Sequence, residues 1–234
     1  MNAQNPNIEN IERVAAALNT LRDEVVLVGG CACSMLLSDA AAPPARVTYD
    51  VDLVAQVIGL AGYHQLEKQF SKLGFKRDTI TPDAPICRWL WGGIEVDLMP
   101  SDPNILGFAN PWYPQAIHTA TVHVLPSGTS LRVIAAPAFM ATKFAAFAGR
   151  GRGDFMASHD LEDIINLVDG RAEVLAEIAQ SSPTLREYLS AQCKTLMSTP
   201  AFLDALLGLL APDAFQDAQV AKVKARLERI ATLC

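Results

Sequence analysis

Apolar residues recur at helical spacing from the start of the chain. Ile8, Ile11, Val14, Ala15, Leu18 and Leu21 predict an opening amphipathic helix. The continuous apolar run Val25 to Val28 then predicts a short buried strand, which Gly29-Gly30 turns into a second helix around Ala32 to Leu37. Ala40 to Ala45, with Pro43-Pro44, predicts a loop, and Arg46 to Gln56 a strand. Leu66, Phe70 and Leu73 mark a third helix that Gly74 stops as a C-terminal cap. Beyond it the period shortens. Phe75 to Thr79, Pro85 to Leu90 and Ile94 to Met99 predict strands, the last two joined by a Trp91-Gly92-Gly93 turn. Thr121 to Leu125 and Ser130 to Ile134 predict a hairpin across Pro126-Ser127-Gly128.

From Pro137 onward the pattern is almost wholly helical: Phe139 to Ala148, Asp160 to Val168, Glu173 to Ala179, and further helices to Leu233. The change of pattern near residue 136 divides the chain into a mixed sheet-and-helix half, 1–135, and a helical half, 136–234. The fold class expected is therefore α+β: a mixed sheet with flanking helices, plus a helical C-terminal half.

Composition narrows the function classes. Of 234 residues, 50% are hydrophobic and 19% charged, which fits a chain that folds around a core and not a disordered one. A net charge of −6 argues against an overall electrostatic grip on nucleic acid and leaves room for a local basic patch. The polar start, Met1 to Glu9, lacks the basic and apolar regions of a signal peptide. The apolar run 201–211 is short and broken by Asp204, so no membrane partner and a cytoplasmic location are expected. Five cysteines, at 31, 33, 87, 193 and 234, follow no disulfide or zinc spacing and are expected as buried thiols. The histidines are scattered and receive no role.

The chemistry concentrates in two short stretches. Asp50 and Asp52 alternate with Val51 and Leu53, so on a strand both carboxylates project from one face. Carboxylates crowded into one cleft repel each other unless a cation sits between them, and magnesium suits hard oxygen ligands beside phosphates. A second acidic strand, Gly93-Ile94-Glu95-Val96-Asp97-Leu98-Met99, puts Glu95 and Asp97 on one face in the same way. Asp97, deeper in the apolar run, completes a three-carboxylate site for two ions. Such pairs sit about 3.5–4 Å apart and stabilise both the entering and the leaving oxygen. Glu95 is expected as a supporting or solvent-facing residue. Upstream, Gly29-Gly30 lets backbone and helix amides approach a phosphate, and Ser34 lies one turn further on. A tight turn requiring positive φ explains the glycines equally well. Arg88, one strand away from Asp97, is a candidate phosphate contact. The loop Gly149-Arg150-Gly151-Arg152-Gly153 offers two arginines to phosphate or RNA, or serves as a solvated linker. Lys143 lies on an apolar helix, where snorkelling to the surface is the alternative to a site role. Asp160 and Asp163 follow Ser158 closely enough for a capping role.

The order Gly-Gly, Thr48-x-Asp50-x-Asp52-Leu53, then Val96-Asp97-Leu98 resembles the polymerase-β-type nucleotidyltransferase superfamily. Phe139 to Phe144 with Lys143, the 149–154 loop, and Ser158-His159-Asp160-Leu161-Glu162-Asp163-Ile164 are similar to the AbiEii/AbiGii toxin-like branch. The resemblance covers about residues 25 to 170 and implies a magnesium-dependent enzyme that moves a nucleoside monophosphate from an NTP to a hydroxyl. It implies that Gly29, Gly30 and Ser34 hold the triphosphate and that Asp50 and Asp52 bind magnesium. Asp97 would act as third ligand or as base, and Lys143 would reach a phosphate or the pyrophosphate. Asp160 would be the acidic residue of the helical half, the site lying between the halves. RNA, tRNA first, is the acceptor it implies, in a toxin–antitoxin or phage-defence setting with a cognate antitoxin protein. A small-molecule hydroxyl, as in antibiotic-modifying enzymes, is the second reading, which the acidic net charge favours. A non-catalytic NTP-binding regulatory module is the third.

Overall fold

The computed structural model describes residues 5–151, 153–210 and 216–233. Arg152 of the basic loop and Cys234 lie outside the described residues. The chain divides into two compact units, one formed by residues 1–35 and 46–135 and the other by residues 36–45 and 136–234.

In the first unit α1 (Pro6–Leu18) opens with Asn5 as N-cap, its side chain accepting from the Asn7 amide, and with Pro6 in the first turn. Its buried stripe is Asn7, Ile8, Ile11, Val14, Ala15 and Leu18. Next come β1 (Val25–Val28), α2 (Gly29–Leu36), β2 (Asp50–Ala55) and α3 (Gly59–Lys72). Gly74 caps α3 at φ +89, and the Phe75 amide reaches back to the Phe70 carbonyl. They are followed by β3 (Lys76–Arg77), β4 (Arg88–Trp91), β5 (Ile94–Pro100), α4 (Pro103–Leu106), α5 (Tyr113–Thr119), β6 (Thr121–Val124) and β7 (Ser130–Val133). The strands form one mixed sheet in the order β3-β4-β5-β2-β1-β7-β6. β1 is fully buried, antiparallel to β2 and parallel to β7, while β2 is parallel to β5. Gly92 and Gly93, at φ +54 and +82, make the two-residue turn between β4 and β5 that only positive φ at both positions allows.

Four elements differ from the sequence expectation. β2 starts at Asp50, because residues 46–48 give backbone hydrogen bonds to a side chain instead of a strand: the Thr48 amide donates to Asn7 Oδ1, and Asn7 Nδ2 donates to the Arg46 carbonyl. β4 begins at Arg88 and not at Pro85. α4 and α5 fall where the periodicity predicts nothing, and each carries a proline in its first turn, a start signal too short-ranged to stand out.

The second unit comprises α6 (Ala136–Arg150), α7 (His159–Gly170), α8 (Val174–Gln180), α9 (Pro183–Met197), α10 (Pro200–Ala205) and α11 (Gln216–Ile230). α6 packs on α7, α8 and α9, and α11 on α7 and α9. Residues 36–45 join this unit through their backbone: the Ser38 and Asp39 amides donate to the Gly170 carbonyl, and Arg171 donates to the carbonyl of Leu36. Among the described residues no helix is long and apolar enough to cross a membrane.

Candidate active site

The site grows from strand alternation. Along β2, Asp50 and Asp52 are half-exposed, whereas Val51 and Leu53 are buried on the other face. Parallel pairing sets Asp52 against Asp97 of β5 and Asp50 against Glu95. Arg88 of β4 stands opposite Asp97 in the antiparallel pair beyond. Arg88, Asp97 and Asp52 thus form one row across three strands, with Glu95 and Asp50 in the next. The structure brings Asp50, Asp52 and Asp97 together, an oxygen of each lying within 4.8 Å of the others.

Arg88 holds this cluster from one side. Its Nε donates to Asp97 Oδ1 at 2.9 Å and its Nη2 to Asp97 Oδ2 at 2.9 Å, a fork-to-fork pair. Nη2 also lies 3.4 Å from Asp50 Oδ2, and Nη1 pairs with Glu95. The bonds it donates to Asp97, with the charges of Asp97, Glu95 and Asp50, hold the guanidinium still more firmly in its charged form against the effect of burial. One positive charge shared among three carboxylates leaves that group net negative before Asp52 is counted. An all-oxygen, carboxylate-rich donor set with surplus negative charge fits a hard divalent cation such as magnesium.

The glycine pair abuts this cluster. Gly29 follows the strand residue paired with Asp52, opens α2 at φ +67, and has no room for a Cβ, which would land on the Asp52 carboxylate. A Cβ on Gly30 would lie 2.6 Å from Thr48 Cγ2 and 2.9 Å from Arg46 Nη2, so close approach selects glycine there without any need for positive φ. The Arg46 guanidinium therefore lies at the start of α2, beside the first amides of the helix. Ser34, one turn on, is tied to α1: its Oγ accepts from Asn7 Nδ2 at 2.8 Å and from Asn5 Nδ2 at 3.4 Å.

Asn7 is the positioning residue that sequence reading missed. It is fully buried, and its amide group joins Ser34 of α2 to Arg46 and Thr48 just ahead of β2. Its only sequence signal is a polar residue inside an otherwise apolar helical stripe. Beneath it the Cys31 thiol meets Thr48 Oγ1 at 3.0 Å and donates to the Asp50 carbonyl at 3.1 Å. Burial pushes the Cys31 thiol up to about 12, against a hydrogen bond with Thr48. Burial, with the Asp97 charge adding to it, does the same at Cys87, so both are neutral packing groups near pH 7.

Lys143 and Asp160 meet in the second unit. Lys143 Nζ lies 3.2 Å from Asp160 Oδ1 and 2.6 Å from Asp163 Oδ2, and all three side chains are buried. Arg150, at the end of α6, reaches Asp160 with Nε and Nη2, both at 2.8 Å. Burial opposes ionisation of Asp160, yet the Arg150 hydrogen bonds and the Lys143 charge outweigh it and hold the carboxyl below its ordinary value. Ser158 caps α7 through the Leu161 amide.

No family model matches the sequence, and no curated protein matches it. Solved structures resemble it more loosely. The antibiotic-resistance factor ANT(2'')-Ia is 19% identical, with 68% of this chain and 81% of that one covered and a TM-score of 0.45. JHP933 from Helicobacter pylori is 12% identical over 96% of this chain and 91% of its own, with a TM-score of 0.48. A candidate nucleotidyltransferase from H. pylori is 12% identical over 99% and 96%, also at 0.48. Likenesses this loose carry neither chemistry nor substrate to the present chain.

Proposed function

We propose that this chain is a nucleotidyltransferase, transferring a nucleoside monophosphate from an NTP to a hydroxyl acceptor with magnesium as cofactor. The observation that carries the reading is the convergence of Asp50, Asp52 and Asp97 on one face of two parallel strands, with the Gly29-Gly30 helix start against Asp52. Asp50, Asp52 and Asp97 are the residues that hold magnesium in this reading. Bound there, magnesium would neutralise charge on the phosphates and on the entering and leaving oxygens. The close packing of Gly29 on Asp52 sets the first α2 amides against the carboxylates, and the triphosphate in this reading lies beside those amides, with Ser34 and Arg46 next to it. An acceptor oxygen attacks the α-phosphorus in line, the bond to the bridging oxygen breaks, pyrophosphate leaves, and the hydroxyl proton passes to a base, which is Asp97 where that carboxylate is not the third ligand. The chain's contribution is positioning and fixed charge. The family resemblance implies a phosphate-directed role for Lys143 and Asp160; in this reading their pairing with each other, with Asp163 and with Arg150 serves instead to hold α6 on α7.

The acceptor in this reading is an RNA hydroxyl, with tRNA first, in a toxin–antitoxin or defence setting that includes a cognate antitoxin. That part rests on the resemblance of the 139–164 motifs. The net charge of −6 favours the second reading, a small-molecule hydroxyl of the antibiotic-modifying kind. Incubating the protein and magnesium with each α-labelled NTP, in the presence of total RNA or a metabolite extract, tests both. Label entering RNA supports the first, and label entering only the metabolite fraction supports the second. Metal-dependent NTP binding without transfer to either points to the non-catalytic module.

A further inference from the structure

Arg88 competes for the oxygens that make the metal site. Its Nε and Nη2 occupy both oxygens of Asp97, and Nη2 also touches Asp50 Oδ2, so two of the three carboxylates in the cluster already answer to a cation. The side chain is only 15% exposed, which makes the competition strong, because little water screens it. A guanidinium does not lose its proton in a protein, so Arg88 has no neutral form with which to accommodate a second positive charge. When a divalent cation takes the Asp97 and Asp50 oxygens, the guanidinium loses part of its acceptor set and is pushed away by like charge. An arginine fork released on a half-exposed face is matched to one kind of partner above others, a phosphate oxygen pair.

From this we infer that Arg88 couples the two ligands of the site: the metal displaces it from Asp97, and the displaced guanidinium binds the triphosphate. The inference rests on the nucleotidyltransferase reading and adds to it an order of events and a residue. Arg88 lowers the affinity for a divalent cation on its own and raises it when a nucleoside triphosphate is present. Free divalent cation is then held weakly, and both ligands are captured together.

Two titrations test this by calorimetry: Mn2+ alone, and α,β-methylene analogues of the four ribonucleoside triphosphates at saturating Mn2+. For Arg88→Ala the expected result is Mn2+ bound about tenfold more tightly and analogue bound about tenfold more weakly, the scale of a lost charge-assisted hydrogen-bond pair. Arg88→Lys, which keeps the charge and loses the fork, falls between. Opposite shifts for the two ligands distinguish coupling from a structural role, which weakens both. Shifts in the same direction, or none, overturn the inference while leaving the nucleotidyltransferase reading intact. A wild-type protein that binds neither Mn2+ nor any analogue overturns that reading and the inference with it. Should Arg88→Ala fail to fold, the wild type still decides. The Arg88 Nε–Hε resonance, assigned through Arg88→Lys, moves when Mg2+ and analogue are both saturating if Arg88 changes partner. A resonance that does not move under those conditions overturns the inference.

Discussion

The molecule holds a cluster of paired charges in each of its two units, and the two are built on different balances. In the sheet unit, Arg88 faces Asp50, Glu95 and Asp97 beside Asp52, an excess of carboxylates on a half-exposed strand face. In the helical unit, Lys143 and Arg150 face Asp160 and Asp163, two cations against two carboxylates, with Asp163 fully buried. Carboxylates crowded on adjacent strands repel one another, and in the proposed reading a bound cation relieves the repulsion that Arg88 leaves uncompensated. In a balanced cluster, with Lys143, Asp160 and Asp163 buried and Arg150 closing it from the surface, the charges already answer one another, and in the proposed reading its geometry fixes α6 on α7. In the proposed reading the contrast separates a site that takes a ligand from a cluster that completes a core.

The largest expected effect falls on the balanced cluster. Lys143→Met leaves Asp163 buried without its ammonium partner and should cost roughly 3–5 kcal/mol in chemical denaturation. Adding Asp163→Asn to it should recover much of the loss, whereas little loss in the single variant breaks the contrast. Asp52→Asn should behave in the opposite way. Thermal stability holds or rises as repulsion is relieved, while label transfer falls at least about 100-fold. A fall in both would make Asp52 structural. Gly29→Ala forces a side chain into positive φ and onto the Asp52 carboxylate, an expected loss of about 1–3 kcal/mol.

How much of this was legible beforehand depends on the range of the interactions. Alternation within a strand placed Asp50 and Asp52 on one face, and the same rule identified Asp97. Which strands lie side by side is a long-range fact, so the pairing of Asp52 with Asp97 and the turn of Arg88 onto the carboxylates could not be read locally. The start of β2 was misplaced because its competitor, Asn7, lies 41 residues before Thr48. Lys143 reads as a surface lysine or a site lysine on α6 alone, and α7 decides that it is buried between two aspartates. The helix–strand–helix order around Gly29 and the helical tail needed only local pattern, and those came through.

The smallest effect sharpens the contrast by pH. Asp160 is held below its ordinary pKa in the folded chain, so the unfolded state binds the proton more readily. Its contribution is therefore present above the unfolded value of about 3.9 and lost as pH falls through the folded value. Asp160→Asn should flatten the fall in stability below about pH 4. A pH dependence unchanged from wild type removes Asp160 from the account.

The most direct test of the central claim is calorimetric titration of Mn2+ into the wild type and into the Asp52→Asn/Asp97→Asn double variant, with folding of both checked by circular dichroism. The account predicts saturable binding to the wild type and none to the folded double variant. Equal binding by the two proteins would place the metal elsewhere and contradict the assignment of the carboxylate face as the active site.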